Sequence, residues 1–175
     1  MRGAEKTWWR ILARENDLDI VCNDSFSGST VCNTGREGLP MDATFVNRMD
    51  KYLSKNFFEK NEINTMLLFG GTNDSWLDCP VGALKYSDWT SEELKCVLPA
   101  FCYILCKAKE VIENITVILN CGLKQEIIES IIKACKHLDI DYVALHDIDK
   151  ENNHPTELGM KQIAEQVTTY LKQKN

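Results

Sequence analysis

Four short apolar runs, at residues 18–22, 63–69, 115–120 and 141–145, alternate with stretches whose apolar side chains recur at helical spacing. Nothing else in the chain restricts the fold as much. Strands joined by helices cannot pair as tight hairpins. They pair in parallel through right-handed crossovers, with helices covering both faces of the sheet. Helices are expected over 5–16 (Trp8, Trp9, Leu12 and Ala13 on one face) and 44–56 (Phe45, Met49, Tyr52 and Leu53). Others are expected over 91–112, 125–137 (Ile127, Ile128, Ile131, Ile132 and Cys135) and 156–173 (Met160, Ile163, Ala164, Val167 and Leu171). Ser91 fits an N-cap, with Glu92 and Glu93 in the first turn, and Pro99 predicts a kink or a break into two helices. Residues 26–40 and 75–90 read as loops. The reading is an α/β chain forming one domain over residues 1–175.

Composition excludes several functions. A net charge of −6 leaves no basic face to neutralise phosphates, so no nucleic-acid partner is expected. No apolar stretch approaches the roughly 20 residues needed to span a bilayer, and lysines are interleaved with acids, so no membrane partner is expected either. The first nine residues lack a signal-peptide core, and the expected location of the chain as written is the cytoplasm. Eight cysteines occur without Cys-x-x-Cys or paired ligand spacing. Cys22 and Cys121 lie in or beside strand-like runs, and Cys102 and Cys106 are one helical turn apart. All are expected to be reduced thiols acting as small apolar side chains, with no metal site and no cofactor.

Ligands of parallel sheets bind beyond the carboxyl ends of the strands. Here those ends are polar: Asn23-Asp24-Ser25, Gly70-Gly71-Thr72-Asn73-Asp74, Asn120, and His146-Asp147. The two glycines let the backbone turn tightly, after which Asn73 can aim its amide at a developing oxyanion; a plain strand-ending turn reads the same way. Gly28, in a Ser-Gly loop, can offer an unhindered backbone N–H to the same oxyanion. His154 stands before Pro155 and a helix that Thr156 can cap, which presents its imidazole as a general base. An acid must orient that ring. Asp149 and Glu151 lie just upstream and Asp147 a little further, and spacing does not choose among them.

Together these residues resemble the SGNH hydrolase family, also called GDSL-type esterases and lipases. Gly71-Thr72-Asn73-Asp74 meets the family's Gly-x-Asn-Asp block, His154-Pro155-Thr156 partly meets its Asp-x-x-His-Pro block, and Gly28 fits its loop glycine. From Trp8 to the closing helix the chain is similar to bacterial members. The resemblance implies a flavodoxin-like three-layer α/β/α sandwich with a mainly parallel sheet. It also implies ester hydrolysis by a serine nucleophile and a histidine base. The implied oxyanion hole uses the serine amide, a glycine amide and the asparagine side chain. Mapped here, Gly28 and Asn73 take the oxyanion roles and His154 the base. Glu151 stands where the family has aspartate, so either Glu151 or Asp149 supplies the acid. The residues ahead of Trp8 hold no Gly-Asp-Ser, the block on the family's central first strand, so the sheet is expected to lack that strand. Asn23-Asp24-Ser25 follows a strand-like run and contains Asp-Ser, which offers Ser25 as a relocated nucleophile, but Gly28 and the loop after it fit the family's second block better. The open explanations are a reading frame begun too late or a degraded family member.

The expected activity is therefore hydrolysis of small acyl esters or acetylated sugars, with Trp76, Tyr86 and Trp89 lining an acyl or sugar pocket. Packing of the long loop onto the body explains those aromatics equally well. The competing function is a binding protein that keeps the pocket without the nucleophile. A nucleotide binder is disfavoured by the absence of a phosphate loop. Exposed sheet edges would favour association between copies.

Overall fold

In a computed structural model, which describes residues 4–173, seven α-helices and five strands follow one another along the chain. In order they are α1 (Trp8–Asn16), α2 (Phe45–Leu53), α3 (Phe57–Lys60), β1 (Thr65–Phe69), α4 (Thr72–Trp76) and α5 (Val97–Lys109). Then come β2 (Asn114–Leu119), α6 (Gln125–Leu138), β3 (Asp141–Ala144), β4 (Lys150–Glu151), β5 (His154–Pro155) and α7 (Glu157–Lys172). Strands β1, β2 and β3 form one parallel sheet in that order, with Thr65 opposite Asn114 and Thr116 opposite Asp141.

Period-two alternation along the strands divides the sheet between two apolar layers. Met66, Leu68, Ile115, Val117 and Tyr142 face a core built with α2, α5 and α6. Leu67, Phe69, Ile118 and Val143 face a second one, built with α1 and α7. The result is the expected three-layer α/β arrangement. Complete burial of a side chain such as Ile131 or Ile118 contributes about 1.5–3 kcal/mol. Helix α1 enters the second layer through Ile11, Leu12 and Trp8, whose ring meets Phe69 edge-on at 5.6 Å.

Residues 18–22 do not form the expected strand. Leu18, Ile20 and Val21 are 45%, 43% and 54% exposed, and β1 pairs only with β2 among the described residues. A strand needs a neighbour for its N–H and C=O groups, and this apolar run has none. Cys22 is accordingly exposed, as is Cys121, so neither acts as a buried apolar side chain.

The expected helix over 91–112 is broken as Pro99 predicts, but the break lies upstream of the proline. Cys96 is extended (φ −98°, ψ 146°), and Pro99 falls in the first turn of α5, where its missing N–H is not needed. The polar cap ahead of the break is Thr90 and not Ser91. Thr90 Oγ1 accepts from Glu93 N at 3.2 Å while the Glu93 carboxylate accepts from Thr90 N at 2.8 Å. No helix among the described residues is long and apolar enough to cross a membrane.

Candidate active site

The site begins where β1 stops. Gly70 and Gly71 lead directly into the short helix α4, where the sequence also allows a plain strand-ending turn. Asn73, in its first turn, donates from Nδ2 to the Ser29 carbonyl at 2.8 Å. That places the Asn73 amide against the loop residue next to Gly28. Residues 26–29 form a tight turn closed by Ser29 N to Phe26 O (3.2 Å), with Gly28 at φ +82°, a conformation that other residues adopt only with strain. An asparagine amide has two N–H groups. One is held by Ser29, which fixes the side chain and leaves the second for a ligand.

Asp74 locks this arrangement. Its side chain is 1% exposed and accepts from Val31 N (2.9 and 3.0 Å) and Cys32 N (3.0 Å). A carboxylate from α4 thus satisfies two buried amides of the loop that carries Gly28. Its carbonyl accepts from Cys79 N at 3.0 Å. In the sequence Asp74 stands in the Gly-x-Asn-Asp block without showing what its carboxylate holds. Its role depends on loop residues more than 40 positions away.

His154 arrives on a two-residue hairpin. β4 and β5 pair antiparallel, with Glu151 opposite His154 and Lys150 opposite Pro155. Asn152 and Asn153 form the turn at φ 48° and 63°, the doubly left-handed geometry of a type I′ hairpin, which asparagine tolerates. The Asn-Asn pair is itself a local sequence signal for this turn. The ladder register sets Glu151 opposite His154. Asp149 instead accepts from the Thr156 hydroxyl, and Asp147 pairs with His146 Nδ1 at 3.0 Å. Thr156 caps α7, accepting from Gly159 N at 3.1 Å.

The hairpin and α4 meet. The His154 ring stands edge-on to Trp76 at 5.7 Å, and Trp76 is one turn along α4 from Asn73. At the other end of the same helix, Thr72 Oγ1 accepts from Asn120 Nδ2 (2.9 Å), and Asn120 Oδ1 accepts from Lys150 Nζ (3.0 Å). The ends of β1 and β2 and the hairpin are therefore tied around α4. Lys150 carries no signal in the sequence, because its partner lies 30 residues away.

The structure does not bring the remaining expected residues to this edge. Tyr86 stacks on His137 at 4.1 Å, at the end of α6 away from the strand termini. Trp89 packs edge-on against Tyr103 of α5 at 5.3 Å and donates to the Lys85 carbonyl. Both fasten the long loop to the body. Ser25 donates to Asn23 Oδ1 at 2.7 Å in the exposed 18–26 segment. Among the described residues, no hydroxyl or carboxylate is hydrogen-bonded to the His154 ring.

One group of potential metal ligands occurs among the described residues. The donor atoms of Cys32, Asp74 and Cys79 lie within 4.8 Å of one another, and all three residues are buried. Metal binding requires thiolates. Burial, followed by the Asp74 charge, pushes both thiols above their ordinary range, and the carboxylate is already engaged by two amides. These residues do not fit a cation.

The fold has counterparts in known proteins. The family model for GDSL-like lipase/acylhydrolase matches residues 1–171. The chain belongs to that family. A solved structure from Bacteroides uniformis, a candidate GDSL-like lipase, is similar over 99% of this chain and 79% of its own, at 36% identity and a TM-score of 0.88. A second candidate GDSL-like lipase, from Bacteroides ovatus, is similar over 99% of this chain and 81% of its own, at 36% identity and a TM-score of 0.86. No curated protein matches.

Proposed function

We propose that this member of a hydrolase family cleaves carboxylic esters of small acyl groups, including acetylated sugars. His154 is the general base, Glu151 the acid that stabilises its imidazolium form, and Asn73 and Gly28 the oxyanion donors. In the step proposed, His154 takes the proton of a serine hydroxyl as that oxygen attacks the ester carbonyl. The carbonyl oxygen gains negative charge and is met by the second N–H of Asn73 and the backbone N–H of Gly28. The imidazolium then returns the proton to the departing alkoxide, and water repeats the sequence to release the acid. Trp76 is the aromatic wall of the acyl or sugar site.

The observation that supports this reading best is the contact of both site halves with one short helix. Asn73 joins α4 to the Gly28 loop, and Trp76 joins it to His154. A preorganised amide of this kind contributes about 100- to 1,000-fold in kcat. The second reading, a binding protein that keeps the pocket without catalysis, draws support from Ser25, whose hydroxyl bonds Asn23.

Hydrolysis of a short-chain nitrophenyl ester tests the two. Turnover that disappears in Ser25→Ala supports Ser25 as nucleophile. Turnover that appears only when an N-terminal extension carrying Gly-Asp-Ser is added supports a nucleophile supplied from outside residues 1–175. No turnover in either form supports the binding protein.

A further inference from the structure

Asp74 holds both of its cysteine neighbours by their backbones, its carboxylate accepting from Cys32 N and its carbonyl from Cys79 N. The two sulfurs consequently meet within 4.8 Å, in a pocket where Cys32 is fully buried and Cys79 nearly so. Reaching an S–S separation of about 2.05 Å needs an approach of less than about 3 Å. This pair spans the junction on which the oxyanion site depends, with Cys32 at the end of the Gly28 loop and Cys79 just after α4.

We propose that Cys32 and Cys79 form an oxidisable pair, converted by a small-molecule disulfide into a cystine that staples the Gly28 loop to α4. The oxidant is of the glutathione-disulfide class. The Cys79 thiolate attacks one sulfur of RSSR and expels RS⁻, leaving Cys79 as a mixed disulfide. The Cys32 thiolate then attacks the Cys79 sulfur, forms the Cys32–Cys79 bond and expels the second RS⁻. The two thiol protons end on the two RS⁻ groups, so two protein thiols and RSSR become one cystine and two RSH. Because the thiolates are scarce and buried, the exchange proceeds through local opening and is slow compared with that of exposed thiols. The closed ring runs from residue 32 to residue 79, long enough for a cross-link to restrict the unfolded chain substantially.

The test holds the folded protein in glutathione buffers of increasing oxidised fraction. Free thiols are then alkylated and the linked peptides mapped by mass spectrometry. Exposed Cys22 and Cys121 take up glutathione singly and rapidly. The expected later product is a peptide pair joined through Cys32 and Cys79, with the thermal midpoint raised by roughly 5–15 °C. In Cys79→Ser the pair and the oxidation-dependent rise are both absent. The proposal is overturned if Cys32 and Cys79 remain alkylatable at the most oxidising ratio, or if each is recovered as a separate glutathione adduct. One equivalent of tightly held zinc protecting both thiols overturns it too. The readout on the unmutated chain needs no ester turnover, so it stands apart from the proposed activity.

Discussion

Replacing Asp74 by alanine tests the lock between α4 and the Gly28 loop. The carboxylate serves the N–H groups of Val31 and Cys32, both residues fully buried. Alanine offers neither an acceptor, and each orphaned buried donor costs about 1–3 kcal/mol. Two of them sum to about 2–6 kcal/mol. Relief from holding a buried carboxylate offsets part of this, leaving about 3 kcal/mol. For a chain of this size that lowers the thermal midpoint by about 6–12 °C. Asp74→Asn keeps one carbonyl acceptor but turns an NH2 toward the other amide, and is expected to lose about half as much. The bond from Cys79 N to the residue 74 carbonyl survives both changes. Urea titration at neutral pH reads the difference as a shifted midpoint at unchanged slope. A loss below about 1 kcal/mol in Asp74→Ala would show that the two amides find other partners at little cost, and the lock would not exist.

Three further outcomes follow from the structure. In Gly159→Ala the new Cβ would lie 2.1 Å from the Asp149 carbonyl oxygen, so the hairpin must move off α7. Unfolding experiments should show about 1–3 kcal/mol of destabilisation, together with reduced ester turnover as His154 is displaced. Asn153→Val puts a β-branched residue at φ 63°, costing about 1–2 kcal/mol, whereas Asn153→Gly should match the parent in the same urea titration. Bonds from Lys85, then from Thr90, hold the Glu93 carboxyl at a pKa of about 2 against an ordinary 4.5. Between those values the unfolded chain binds the extra proton, so the stabilisation from Glu93 is complete above pH 4.5 and lost as pH falls through about 2. Glu93→Gln should therefore flatten the stability–pH curve between pH 4.5 and 2, lying below the parent near neutrality and converging on it near pH 2.

Much of this architecture is legible in the chain because it depends on local pattern. The apolar run ending at Phe69 and stopped by Gly70 and Gly71 marks both a strand and its functional end. The Thr156 cap and the spacing of Ile163, Ala164 and Val167 mark α7. Residues 18–22 mislead because alternation reports only a strand's side chains, while its existence depends on a neighbour's backbone. Tyr86 and Trp89 mislead because a loop aromatic has the same composition whether it lines a pocket or fastens the loop, and the partners that decide, His137 and Tyr103, are remote in sequence. Asp74 and Lys150 act through groups 30 or more positions away, Val31, Cys32 and Asn120. Asn152-Asn153 is different, since its turn preference is local and could have been read.

The most direct test of the site is kcat/KM for a short-chain nitrophenyl ester, measured on a form of the protein that turns over, for His154→Ala, Asn73→Ala and the double variant. If base and oxyanion donor serve one transition state, Asn73→Ala loses about 100- to 1,000-fold. His154→Ala then loses at least as much, and the double variant falls short of the product of the two losses. Single variants that hydrolyse the ester at the parent rate would contradict the assignment of the edge around α4 as the catalytic site.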